Sequence, residues 1–135
     1  MFYETQRITI IKIDKPKKND LNTELMWFGD SLGLFGLRDK DKSCFRIFVE
    51  LIKSTKENKP ISSDELAFKL HLSRGTVVHH LNKLTDAGFI ISRKNRYVLR
   101  VDNLEHLIDE LKDDVKKTLD NLKEIASQID KSLGL

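Results

Sequence analysis

Cysteine is almost absent from this chain of 135 residues, which carries only Cys44. A single thiol cannot close an intrachain disulfide, and its place in an apolar helical pattern reads as a buried small hydrophobe. Proline occurs twice and glycine six times, too rarely for a fibrous chain or a flexible linker. No apolar run reaches the ~18 residues that a membrane span needs. The stretch Met1 to Asp14 also lacks the basic start and apolar block of a secretory signal. No membrane partner and a cytoplasmic address are therefore expected. Catalytic motifs are missing as well: there is no P-loop, no dinucleotide-binding glycine pattern, no H-E-x-x-H and no G-x-S-x-G. The expectation is a protein that is not an enzyme and uses no cofactor.

What is present is charge, at 33% of residues, set against 39% hydrophobic residues. That balance describes a helix-rich globular chain with room for one compact domain and an extension. The net charge of +3 hides an asymmetry. Residues 1–101 hold 19 Lys and Arg against 12 acids, whereas residues 102–135 hold 5 against 9. Positive charge peaks between Lys69 and Val101, where seven cations face one acid, Asp86. Clustering of this kind attracts a polyanion.

The pattern divides the chain at 1–40, 41–101 and 102–135. In the first part, Phe2 to Ile13 is rich in β-branched and aromatic residues and reads as a strand. The polar stretch Asp14 to Asp20 then leads, with Asn22 as a candidate N-cap, into the apolar Glu24 to Phe35. There Gly29, Gly33 and Gly36 argue for one or two short helices. In the second part, Lys42 to Lys56 places Cys44, Phe45, Phe48, Val49, Leu51 and Ile52 at helical spacing. Ser62 or Ser63 caps a short helix with Leu66, Ala67 and Leu70 inward. After the turn His71 to Ser73, Ser73 caps a third helix whose stripe is Val77, Leu81 and Leu84, stopped by Gly88. Two β-type runs, Phe89 to Ser92 and Tyr97 to Val101, enclose the basic tip Arg93-Lys94-Asn95-Arg96, which reads as a hairpin.

Two short helices joined by a tight turn let the second lie in the major groove of DNA while the first braces it. Counting 100° per residue from Val77 places Gly75, His79, Asn82 and Lys83 outward, with Arg74 on the exposed first turn. Arg, Asn and His are side chains that donate to base edges, and Gly75 permits close approach of the backbone. Lys83 suits a phosphate. His80 lies nearer the buried boundary and reads as structural. Val78 suits either a thymine methyl or the neighbouring helix.

The run Ser73-Arg-Gly-Thr-Val-Val-His-His-Leu-Asn-Lys-Leu-Thr-Asp-Ala-Gly-Phe-Ile resembles the recognition-helix signature S-x-x-T-V-S-x-H-L-x-x-L-x-x-A-G-L-V of the ArsR-like winged-helix regulators. The resemblance covers roughly Asp41 to Asn103. It implies sequence-specific binding of double-stranded DNA by a homodimer, with helix 73–87 in the major groove and wing 92–97 on the backbone or in the minor groove. The set of DNA-contacting residues expected from pattern and resemblance together is Ser63, Ser73, Arg74, Gly75, Thr76, His79, Asn82, Lys83, Arg93, Lys94, Asn95 and Arg96. Two departures matter. Val78 stands where the family signature has Ser, and the cysteine pair that many metal-sensing relatives carry near the brace helix is absent. Asp102, His106, Asp109 and Glu110 lie on neighbouring turns, but one His on a charged helix is what a solvated surface also produces, and no metal site is assigned. No motif assigns an effector ligand.

From Asp102 to Leu133 the chain carries a seven-residue repeat: Leu104, Ile108, Leu111, Val115, Thr118, Leu122, Ile125 and Ile129. A helix of that length, about 48 Å at ~1.5 Å per residue, outruns the body it must cover, so the apolar positions of this series form the expected subunit seam. The fold class expected is mainly α with a small β-hairpin wing: a winged helix-turn-helix followed by a long dimerisation helix. An interaction module of the same fold that binds protein or RNA without reading bases is the other reading. Against its RNA form stands the lack of an aromatic stacking platform, since Phe89 and Tyr97 read as hairpin core.

Overall fold

The computed structural model describes residues 5–36 and 42–135. Helix α1 spans Leu21–Ser31, α2 Ser43–Lys56, α3 Ser63–Leu70, α4 Arg74–Asp86 and α5 Leu104–Leu133. Strands β1 (Ile61–Ser62), β2 (Ile90–Arg93) and β3 (Arg96–Leu99) form an antiparallel sheet in the order β1-β3-β2. The architecture is a winged helix-turn-helix with a long C-terminal helix, as the pattern predicts. The strand β1 was not expected, because a two-residue element has no alternation to read. Its pairing of Ile61 with Tyr97 and Ser62 with Arg96 ties the entrance of α3 to the wing.

The core is where the amphipathic faces converge. Ile47, Phe48 and Leu51 of α2 are buried with Leu66 of α3 and with Val77, Leu81 and Leu84 of α4. Phe89, Ile90 and Leu99 close it from the sheet, and Leu107 and Leu111 from α5. Cys44 is fully buried, as its apolar context predicts. Helix ends are capped locally. Ser62, rather than Ser63, caps α3: its hydroxyl accepts from the Glu65 amide at 3.1 Å and donates to the Glu65 carboxylate at 3.2 Å. Arg46 reaches from α2 to the carbonyl of Leu70, satisfying the end of α3. Gly88 follows α4 at φ +83, where a side chain would be strained and a Cβ would also strike Gln6.

The N-terminal segment departs from expectation. Residues 2–4 of the expected strand lie outside the described residues, and residues 5–13 run without a strand partner. The segment is a strap whose amides serve helix ends: Arg7 donates to the carbonyl of Asp86 at 3.0 Å and Ile11 to that of Ser31 at 2.8 Å. Alternating β-branched residues specify extended backbone but not what it lies beside. Helix α1 starts earlier than expected, since Asp20 rather than Asn22 is its cap, accepting from the Thr23 amide and hydroxyl. Gly29 does not break this helix. It is buried because the Phe35 ring packs directly on it, leaving no space for a Cβ. The expected boundary at residues 40 and 41 lies outside the described residues.

Helix α5 joins the body through its first turns only. Leu104 and Ile108 pack against the core and Leu107 and Leu111 are inside it. This i, i+3, i+4, i+7 face is wider than the seam read from the heptads, which is why Leu107 fell outside that series. A polar clasp holds the junction. Arg100 bonds Asp114 at 2.6 Å and Glu110 at 3.2 Å, while Gln6 spans from Asp114 to the carbonyl of Ala87. The hydrogen bond from Arg100 holds the Asp114 carboxyl below its ordinary value of 3.8, against the opposing effect of burial. A carboxylate depressed in the folded state contributes stability fully above its unfolded pKa, and that contribution is lost as pH falls through the folded value. Thermal unfolding of Arg100→Gln is therefore expected to show a lower midpoint than the parent at pH 7, with the gap closing below about pH 4. An equal gap at both pH values removes the clasp from the account.

Candidate nucleic-acid interface

Helix α4 is set up as a recognition element by its own sequence. Ser73 adopts an extended conformation and its hydroxyl accepts from the Thr76 amide at 3.1 Å, while donating to the Thr76 hydroxyl at 2.7 Å. The turn before it is tightened by His71, which sits at φ 56 and ends α3. With Val77, Leu81 and Leu84 fully buried, the opposite face is fixed outward. Arg74, Gly75, His79, Asn82 and Lys83 are all exposed there, and Thr76 is half-buried. A Cβ on Gly75 would meet nothing within 4 Å, so that position is open to an approaching backbone. His80 is half-buried, with its ring 5.4 Å from that of His79, in line with the structural reading. Val78 is 37% exposed and so available at the surface.

Two of the expected contact cations are ion-paired within the chain, to different degrees. Arg74 lies 3.4 Å from Asp64 of α3, but both side chains are more than two-thirds exposed. An ion pair in that setting contributes no more than about 1 kcal/mol, so a phosphate or base can displace it. Arg96 is held more firmly, by the Glu65 carboxylate and the carbonyl of Pro60. Its guanidinium fastens the wing to the start of α3. Ser63, for its part, is the first residue of α3 and half-buried.

The wing tip is a two-residue turn. Lys94 and Asn95 both take positive φ, 51° and 62°, and Arg93 pairs with Arg96 across the ladder. This is the turn geometry whose twist matches a hairpin, and it leaves Arg93 and Lys94 exposed. A hydroxyl clamp sets the wing on the body: Thr55 of α2 accepts from the Leu99 amide at 3.1 Å. Replacing Arg93 and Lys94 by Ala is expected to weaken binding to all duplexes alike and to reduce the salt slope by about two contacts' worth. Arg96→Ala is expected instead to lower the thermal midpoint. Salt titrations of fluorescence anisotropy alongside thermal melts separate these roles, and equal salt slopes for parent and double variant would exclude the tip.

The strap adds a residue that pattern reading missed. Thr5, Arg7 and Thr9 border the same open cleft as His79, Asn82 and Lys83. No spacing rule links position 7 to position 83; only the packing of an extended segment along α4 does.

With this geometry in place, comparison with known families is decisive for the middle of the chain. Residues 49–92 match the family model described as bacterial regulatory protein, arsR family. The matched segment runs from within α2 to within β2, so it contains the helix-turn-helix entire and most of the first strand of the wing. It is narrower than the span suggested by resemblance alone. No curated protein and no solved structure gives a significant match. Among the described residues no group of three or more His, Cys, Asp or Glu side chains is placed to hold a metal ion, and no helix is long and apolar enough to cross a membrane.

Proposed function

We propose that this protein is a sequence-specific DNA-binding transcriptional regulator that acts as a homodimer. The observation that carries the reading is the outward row Arg74, Gly75, His79, Asn82 and Lys83 on a capped helix inside the arsR-family segment. Arg74 and His79 donate to base edges, Asn82 presents both a donor and an acceptor, and Lys83 takes a phosphate. Arg93, Lys94 and Arg7 supply backbone contacts that fix the register. Cations in this set outnumber acids, which supports attraction to the duplex before any base is read.

One winged helix covers few base pairs, whereas two subunits on a twofold axis read two half-sites about 34 Å apart. The seam proposed for them is on α5. Of the expected seam residues, Leu104 and Ile108 are half-buried within the chain and Leu111 is only 4% exposed, so the chain's own core covers them. Leu122, Ile125 and Ile129 stand in solvent at more than half exposure, joined by Leu119 and Leu133. A continuous apolar strip on so charged a helix favours a self-complementary partner.

Base reading is tested by Arg74→Ala and His79→Ala. Each lost base contact is expected to cost roughly 1–3 kcal/mol on a preferred duplex and much less on random competitor. Equal losses on both would assign these residues to phosphate and support a fold used without base readout.

A further inference from the structure

Side chains on an extended chain alternate, and the two faces of the strap meet different neighbours. Thr5, Arg7 and Thr9 are exposed and border a cleft of about 850 Å³, whose far side is His79, Asn82 and Lys83 of α4. The even positions face α5 and the core. Gln6 donates to the carbonyl of Ala87 and to the Asp114 carboxylate, Ile8 packs on the core, and Ile10 lies beside Val115 and Leu119. Gln6 and Ile8 thereby close the inner edge of the cleft. Among the described residues neither Arg7 nor Lys83 is paired with an acid, and Asp86 is the one acid along the lining.

We propose that the strap is a third DNA-contacting element beside α4 and the wing. Thr5, Arg7 and Thr9 track one phosphate strand across the cleft from Lys83, and Gln6 is the positioning residue that seats them. The arrangement rests on the DNA-binding reading above and adds to it a contact face and the residue that holds it. Side chains two apart on extended chain repeat at about 6.6 Å, which is on the scale of successive phosphates along one strand. The donors are hydroxyl, guanidinium and ammonium, groups that bind phosphate oxygen whatever the base. The cleft also continues the outward row of α4, so a duplex seated on Arg74 and His79 carries its backbone past it.

The strap is seated firmly enough to present these donors in place. The Arg7 and Ile11 amides are bonded to the ends of α4 and α1. Thr9 packs on Gly33, at φ +66, where a Cβ would come within 2.8 Å of the Thr9 methyl. Gln6 fixes the stretch nearest α4, because one amide group joins the end of that helix to Asp114, which Arg100 also holds. Gln6 turns away from the phosphate path and so acts through Arg7.

The test reads salt slopes for the full chain on a random-sequence duplex, so that it does not depend on base reading. Arg7→Ala is expected to lower the slope by about 0.9, the worth of one phosphate contact. Thr5→Arg, on the same face, is expected to raise it by about as much. Ile10→Arg adds the same charge on the opposite face, at a position 67% exposed, and is expected to leave the slope unchanged. Gln6→Leu is expected to lower the slope as Arg7→Ala does, and the double variant to fall no further, since the two act as a unit. An unchanged slope for Arg7→Ala, or equal rises for Thr5→Arg and Ile10→Arg, overturns the strap as a contact element while α4 and the wing stand. Additive losses remove Gln6 as the positioning residue. A parent chain that binds no duplex overturns the DNA-binding reading and the strap contact together.

Discussion

Placing Asp at both Leu122 and Ile129 is expected to lower affinity for a two-half-site duplex by two orders of magnitude or more while leaving the winged helix folded. Both side chains are over half exposed in the single chain, at 59% and 51%, and neither touches the core. The substitution therefore costs the monomer little, and far-UV circular dichroism should be nearly unchanged. In a paired seam the same two residues, about half exposed in the single chain, lose roughly 1–1.5 kcal/mol each of apolar burial per subunit, and four carboxylates would have to be desolvated. Dimerisation fails first. Binding then falls because the second half-site is no longer held at high effective concentration, an advantage of about 10² to 10⁴. Light scattering and anisotropy on one sample check both steps. A folded variant that remains dimeric and binds fully would place the interface away from the outer half of α5.

Leu81→Ala is expected to act in the opposite way, on the fold itself. Leu81 is fully buried on α4 among Val77, Leu84 and the α2 and α3 faces. Truncating a buried Leu costs about 2–5 kcal/mol, transfer and cavity together. Total stability of domains this size is roughly 5–15 kcal/mol, so the variant should lose roughly a third of it at mid-range values. Because α4 carries the outward row, its looser seating should weaken DNA binding even where most molecules stay folded. Urea unfolding should show a lower midpoint at unchanged slope. An unaltered midpoint would mean that α4 is not held by this stripe, and the assignment of its outward face would fall with it.

How much of this was legible in the sequence depends on whether a feature is local. The helix-turn-helix was, because capping and periodicity are short-range: Ser73, the stripe Val77-Leu81-Leu84 and Gly88 define α4 without any other part of the chain. The wing was legible as a hairpin, and its tip falls at Lys94 and Asn95. Long-range relations were not legible. The strap's composition indicates extended backbone, yet its partners are single carbonyls at the ends of α1 and α4, which no pattern encodes. The same limit hid Arg7 beside the recognition helix and the fastening of Arg96 by Glu65. In α5 the heptad reading was too uniform. One amphipathic stripe serves two purposes, docking on the body up to Leu111 and standing free beyond Val115, and only the size of the body decides where one gives way to the other.

The central claim, that the protein reads DNA sequence as a twofold dimer, is tested most directly by selecting bound duplexes from a random pool at physiological salt and sequencing them. The account predicts enrichment of a palindrome with half-sites centred about one helical turn apart, lost with Arg74→Ala and His79→Ala in the bases that they contact. Retention of duplexes with no enriched sequence would show that the charged face binds backbone alone, and that would contradict it.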